Sequence, residues 1–102
     1  MSKLLTTTDK LDPVHPGEVL MEDFIVGITQ NRLAVAVGVS PRRINEIVHG
    51  KRSITAATAL GLSSYFGTSA QFWLSLQNQY DLDIEEDLIQ AELDAITPLQ
   101  VA

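Results

Sequence analysis

The side chains with the clearest potential for chemistry in this sequence are basic, and they are clustered. Five of the seven basic residues of the chain fall within residues 29–52, where Glu46 is the single acid. They are Arg32, Arg42, Arg43, Lys51 and Arg52. This stretch carries a charge of +4, although the 102-residue chain has a net charge of −6. Arginine and lysine side chains at this density bind phosphates and base edges, so the cluster predicts contact with a polyanion.

Two short helices joined by a tight turn are predicted to position these side chains. Thr29 can cap a first helix that ends at Gly38, and Ser40-Pro41 can start a second that ends at His49-Gly50. The residues predicted to be buried have the sizes and spacing that a helix-turn-helix element requires. They are Ala34 where the helices cross, Gly38 at the turn, and Val39, Ile44 and Ile47 against the core.

The polar residues of this element are the candidate DNA-binding residues. They are Gln30, Ser40, Arg42, Arg43, Asn45, His49, Lys51 and Arg52. Arginine and asparagine on the second helix could read guanine and adenine in the major groove. Lys51 and Arg52 follow the helix and would meet phosphates, and Gln30 could hold another phosphate. We interpret Glu46 as a surface residue of the same face.

The remaining pattern predicts an all-α protein, because no alternating run of β-branched or aromatic residues is long enough for a strand. The motif His15-Pro16-Gly17-Glu18 predicts the start of a helix that ends at Gly27, and Thr55 starts another that ends at Gly67. Gly61, inside the latter, would permit close packing. A capping box of Thr68 with Gln71 predicts a fifth helix.

The C-terminal segment has the opposite charge. It contains Asp81, Asp83, Glu85, Glu86, Asp87, Glu92 and Asp94 and no basic residue. Apolar residues at helical spacing predict an amphipathic helix stopped by Pro98. We expect a flexible arm over residues 1–14, a DNA-binding domain over residues 15–80 and an acidic helical extension over residues 81–102. This extension either covers its own domain or contacts a basic partner, and the sequence favours neither.

The fifth helix also supplies candidate dimer contacts. Phe72, Trp73, Leu76 and Tyr80 are at helical spacing and would fit either the core or a subunit interface. A two-fold symmetric DNA reader needs two recognition helices about 34 Å apart, which favours a homodimer.

Catalytic and metal-binding constellations are not predicted. The chain has no cysteine and two histidines, and His15 and His49 fit helix-terminal hydrogen-bonding positions better than a zinc site. No residues form a nucleophile–base pattern, so we expect neither an enzyme nor a cofactor. No apolar run reaches the roughly 20 residues of a membrane helix and no secretory signal is recognised, so a cytoplasmic protein is expected.

Blocks of sequence across residues 13–82 resemble one known family. They are His15-Pro16-Gly17-Glu18-Val19-Leu20, Arg32-Leu33-Ala34, Gly38-Val39, Arg43-Ile44-Asn45-Glu46-Ile47, Gly50-Lys51-Arg52, Ile54-Thr55-Ala56, Tyr65-Phe66-Gly67-Thr68-Ser69 and Phe72-Trp73-Leu74. These blocks are similar to those of HigA-type antitoxins, helix-turn-helix regulators of the XRE/Cro-like group.

The resemblance implies a lambda-repressor-like helix-turn-helix bundle of five helices, here with an additional acidic C-terminal helix. It also implies a homodimer that binds double-stranded operator DNA and represses its own operon. The implied protein partner is a HigB-type toxin, a small basic ribosome-dependent messenger-RNA endonuclease. The alternatives are a stand-alone helix-turn-helix regulator without a toxin and a protein-interaction module that works through its acidic tail.

Overall fold

The structure is a computed structural model that describes residues 12–100. Within that range the chain forms six α-helices and one π-helical turn, with no strand, which confirms the all-helical prediction. The helices are α1 (Pro16–Val19), continued by the π-helical turn Leu20–Phe24, then α2 (Gln30–Val37), α3 (Pro41–Val48), α4 (Ala56–Phe66), α5 (Ala70–Leu88) and α6 (Gln90–Asp94). Most of the predicted N-terminal arm, residues 1–11, lies outside the described residues.

Hydroxyl side chains start the four longest helices. Each N-cap oxygen accepts a hydrogen bond from the backbone N–H three residues later, which satisfies a donor that the helix itself leaves unpaired. The caps are Thr29, Ser40, Thr55 and Ser69. The predicted capping box at Thr68 is wrong by one residue, because the Thr68 hydroxyl instead accepts the indole N–H of Trp73 at 2.8 Å. The glycine ends predicted for α2 and α4 are confirmed, since Gly38 and Gly67 adopt left-handed backbone angles.

The first helical segment starts as predicted and ends earlier than predicted. The His15 imidazole accepts the Gly17 N–H at 2.9 Å, and the Glu18 side chain accepts the His15 N–H, which completes a capping box. The segment ends in the π-helical turn at Phe24, so the predicted end at Gly27 is wrong. Gly27 lies in the bend that follows, where its φ of +84° suits glycine.

The hydrophobic core lies between the first five helices. Among residues 12–100, its buried apolar residues are Leu20, Ile25, Leu33, Ala34, Ile44, Ile47, Ile54, Ala59, Leu62 and Trp73. The Trp73 ring is fully buried and its centroid lies 4.9 Å from that of Phe24. The predicted close packing at Gly61 is confirmed, because a Cβ atom there would lie 3.3 Å from Val37 Cβ. These contacts fix the orientation of α2 and α3 relative to the other helices.

The acidic segment is arranged differently from the separate helix predicted for it. Its first eight residues continue α5 without a break at residue 81, and only the short α6 follows. Residues 84–88 and 90–100 are exposed, so the segment does not cover its own domain as one interpretation expected. Between α5 and α6 lies a groove of about 400 Å³ that Leu82, Ile89 and Leu93 line with acidic neighbours.

Candidate nucleic-acid interface

The geometry of α2, the turn and α3 follows from the residues at the turn. Gly38 adopts a φ of +77°, and the Gly38 and Val39 N–H groups both donate to the Ala34 carbonyl oxygen, at 2.9 and 3.0 Å. Ala34, Ile44 and Ile47 are fully buried where the two helices meet the core. The opposite side of α3 is therefore exposed, because one face of this eight-residue helix is committed to packing.

The structure brings the predicted α3 residues together on or beside that exposed side. Ser40 caps the helix, its hydroxyl accepting the Arg43 N–H at 3.1 Å. The Arg42 side chain is 87% exposed, Asn45 is exposed and Arg43 is half-buried. Together with the following loop, this side of α3 presents a mostly basic and amide surface.

A side-chain hydrogen bond links the two helices of the element. The Asn45 amide donates through Nδ2 to Gln30 Oε1 at 3.3 Å, so the first residue of α2 supports a side chain on the exposed face of α3. Sequence spacing alone cannot reveal this pair, which is 15 residues apart. The bond restrains an amide that can hydrogen-bond an adenine edge.

Glu46 has a larger part in this surface than its residue type indicated. Its Oε2 accepts Arg42 Nε–H at 3.2 Å and its Oε1 accepts Arg52 Nε–H at 2.7 Å. These hydrogen bonds hold the pKa of the Glu46 carboxyl below its usual value of 4.5, and the bond from Arg52 has the larger effect. The spacing of Arg42 and Glu46, four residues apart, is a signal that could have indicated the first pair. The second pair forms across the end of α3 and has no such signal.

The buried His15 ring lies beneath the loop that follows α3. The loop residues Lys51 and Arg52 are exposed, while His15 is 5% exposed and contacts the Tyr80 ring edge-on at a centroid distance of 4.8 Å. Burial lowers the pKa of His15 below its usual value of 6.5, against the opposing effects of Asp81, Glu18 and a hydrogen bond to the Arg52 backbone. The predicted helix-start position of His15 is confirmed.

His49 also occupies the position predicted for it. It is the C-cap residue of α3, and its Nδ1 lies 2.8 Å from the Asn45 carbonyl oxygen. Across residues 12–100 no three histidine, cysteine, aspartate or glutamate side chains are grouped so that they could hold a metal ion. In the same range, no helix combines the length and apolar character needed to cross a bilayer.

The predicted dimer residues do not share one environment. Trp73 is completely buried in the core of a single chain, which agrees with the core alternative and leaves no ring surface for a subunit contact. Leu76 and Tyr80 are half-buried, and the Tyr80 ring already packs on His15. Phe72 is 38% exposed and offers the most accessible aromatic surface of the four.

A compact helical core that exposes one basic helix after a glycine turn defines a helix-turn-helix protein of the DNA-binding class. In agreement, the helix-turn-helix family profile matches residues 26–73. The chain is 46% identical over 93 residues to virulence-associated protein I of Dichelobacter nodosus, an alignment that covers 89% of this chain and 85% of that protein.

Antitoxins are among the similar proteins. Antitoxin HigA-1 of Vibrio cholerae is 34% identical over 95 residues, covering 91% of this chain and 90% of that protein. The solved structure of Pseudomonas aeruginosa antitoxin HigA with the higBA promoter has a TM-score of 0.82 at 40% identity, covering 86% of this chain and 99% of that one. The chain belongs to the HigA-type antitoxin family of helix-turn-helix proteins.

Proposed function

We propose that this protein is a DNA-binding antitoxin that represses its own toxin–antitoxin operon and neutralises a HigB-type toxin. The observation that carries the DNA-binding part is the exposed basic side of α3, continued by Lys51 and Arg52, in a chain that is acidic overall. The similarity to a HigA whose structure was solved with promoter DNA supports the same conclusion.

In the proposed complex, α3 lies in the major groove. Arg42, Arg43 and Asn45 face base edges, where arginine matches guanine and asparagine matches adenine. Ser40 and His49 lie at the two ends of the same helix. Lys51 and Arg52, in the loop, bind phosphates, and Gln30 contributes at the start of α2. Phosphate contacts set the register of the helix on DNA, and base contacts set sequence preference.

A homodimer would present two copies of α3 to successive major grooves of a palindromic operator. We propose that Phe72, Leu76 and Tyr80, on α5, lie at or beside the subunit contact, since Phe72 leaves apolar surface uncovered in the single chain. A DNA target also supports a cytoplasmic location, which is part of the proposal. The mechanism is binding, so neither turnover nor a cofactor is involved.

Binding of the toxin is supported by the antitoxin relatives and by charge. Residues 81–94 carry seven acids and no base, which suits a small basic partner. A stand-alone regulator with the same DNA mechanism is the alternative. An adjacent reading frame for a small basic protein, and co-purification of its product with this chain, would support the antitoxin.

DNA binding is tested by titrating the purified protein with its own upstream DNA and with scrambled DNA in a fluorescence anisotropy assay at several salt concentrations. We expect a specificity ratio of at least about 10³ and affinity that falls steeply with salt. Arg42→Ala or Asn45→Ala should cost about 1 to 3 kcal/mol and relax specificity, whereas Arg52→Ala should weaken binding to all sequences alike. Equal, weak binding of both DNAs by the unmodified protein would refute the repressor.

A further inference from the structure

We propose that Glu46 is a specificity-determining residue of the DNA interface, which acts by positioning two arginines and by repelling phosphates. The proposal rests on the DNA-binding function above. Glu46 is the single acid within residues 29–52, and its two carboxylate oxygens each accept a hydrogen bond from a different arginine. One arginine is on α3 and the other is in the loop that follows, so the carboxylate joins the base-reading and phosphate-binding parts of the surface.

Both arginines bind Glu46 through Nε, at 3.2 Å for Arg42 and 2.7 Å for Arg52. A guanidinium group has five N–H donors, of which Nε supplies one, so the terminal amines of each arginine are still available to DNA. Glu46 therefore restrains the two side chains without consuming their binding groups. Restraining a flexible arginine before binding reduces the entropy lost when it contacts a base or phosphate, which favours the correctly placed operator.

The same carboxylate opposes binding to DNA of arbitrary sequence. Its side chain is 23% exposed and lies between two cations that would otherwise meet phosphates freely. Non-specific affinity comes almost entirely from contacts between cations and phosphates, so a negative charge at this place weakens it directly. On the operator, base contacts made by the positioned side chains offset that repulsion. Glu46 thus increases the ratio of operator affinity to affinity for DNA of arbitrary sequence.

The backbone keeps Glu46 in place. The Lys51 N–H donates to the Glu46 carbonyl oxygen at 2.8 Å, and Ile47, the next residue, is fully buried. The carboxylate is consequently attached to a fixed part of α3, while Arg42 is 87% and Arg52 45% exposed. A carboxylate in a fixed position can hold two flexible arginine side chains in place, whereas two flexible arginines cannot position each other.

Glu46→Gln removes the charge and keeps the shape, and Glu92→Gln, on exposed α6, is the matched control with the same change in net charge. Affinities for operator and scrambled DNA are measured by fluorescence anisotropy over several salt concentrations. We expect Glu46→Gln to bind scrambled DNA about tenfold more tightly with operator affinity unchanged or lower, and to increase the non-specific salt slope by about one phosphate contact. Glu92→Gln should leave the specificity ratio within about twofold of the unmodified protein.

A specificity ratio for Glu46→Gln that stays within about twofold of the control would overturn the proposal, since charge alone would then explain any change. A loss of operator affinity in Glu46→Gln that disappears on operators altered at one base pair would also overturn it, because a glutamate that accepts a hydrogen bond from the cytosine of that pair acts directly and not through the arginines. Failure of the DNA-binding function is a separate result, recognised when the unmodified protein itself does not distinguish operator from scrambled DNA.

Discussion

Substitution of Gly17 by alanine should destabilise the protein more than its small size suggests. A Cβ atom at Gly17 would lie 1.8 Å from the carbonyl oxygen of Ile47 and 2.7 Å from its carbonyl carbon. Ordinary contacts of a Cβ atom are about 3.4 Å or longer, so α1 and the end of α3 would have to separate by roughly 1.5 Å. The obstructing atoms are backbone, and no side-chain rotation can remove the overlap.

The magnitude follows from what moves with α1. The Gly17 N–H is held by the His15 imidazole at 2.9 Å, and Leu20, which continues the segment, is fully buried. Overpacking a close-packed site typically costs about 1 to 3 kcal/mol, and we expect Gly17→Ala near the upper end, about 3 kcal/mol. For a chain of this size that loss lowers Tm by roughly 12 to 24 °C. Thermal unfolding followed by circular dichroism at one fixed protein concentration measures it.

Gly61→Ala is the matched control, because it is the same chemical change in another tightly packed helix. Its Cβ would lie 3.3 Å from Val37 Cβ, a contact that a small side-chain shift relieves. Alanine also gains about 1 kcal/mol of helix propensity over glycine, so stability should change by less than about 1 kcal/mol. A Tm for Gly17→Ala within about 4 °C of the unmodified protein would refute the argument, since it would mean that α1 separates from α3 at almost no cost.

Two further predictions concern the buried polar residues. Burial lowers the pKa of His15 in the folded state below its usual value of 6.5, so folding favours the neutral imidazole. The free energy of unfolding should therefore be unaffected by His15 above about pH 6.5 and should fall as the pH drops below that value. Denaturant midpoints from about pH 8 to 5 should show this decline in the unmodified protein relative to His15→Asn, and the opposite trend would exclude this linkage. Gln77→Leu should cost about 1 to 3 kcal/mol in chemical denaturation, because the buried Ile54 N–H, now 2.8 Å from Gln77 Oε1, would lose its acceptor. Asp81→Asn, which keeps an acceptor for the Gln77 amide, should cost under about 0.5 kcal/mol, and equal losses in both variants would contradict this assignment.

The position of His15 links the folding stability of the protein to the loop of the proposed DNA interface. Its ring packs on Tyr80 of α5, and the backbone of Arg52, a residue of the loop proposed to bind phosphates, lies close enough to affect the pKa of His15. A substitution that loosens α1 or the middle of α5 should therefore also loosen this loop. Variants at the core should be compared in DNA binding only at temperatures where they remain folded, because unfolding itself lowers apparent affinity.

Most helix boundaries could be predicted because their causes are local. A hydroxyl cap such as Ser40 acts on an N–H three residues away, and a left-handed end such as Gly38 depends on one residue's backbone angles. The exposed side of α3 could be predicted for the same reason, since helical periodicity places Arg42 and Asn45 away from Ile44. The Thr68 prediction failed because its hydroxyl binds the Trp73 indole, and the Gly27 prediction failed because the helix ends in a π-helical turn at Phe24.

The sequence by itself determined the all-helical class, the helix-turn-helix element and the separation of a basic stretch from an acidic end, because each depends on spacing of a few residues. Only the tertiary structure decided which side chains are buried and which residues meet outside a single helix. The tertiary structure buries Trp73, continues α5 into the first part of the acidic segment, and joins Arg52 to Glu46 across the end of α3. Such contacts depend on how whole helices pack around one core, and several pairings satisfy the same local pattern equally well.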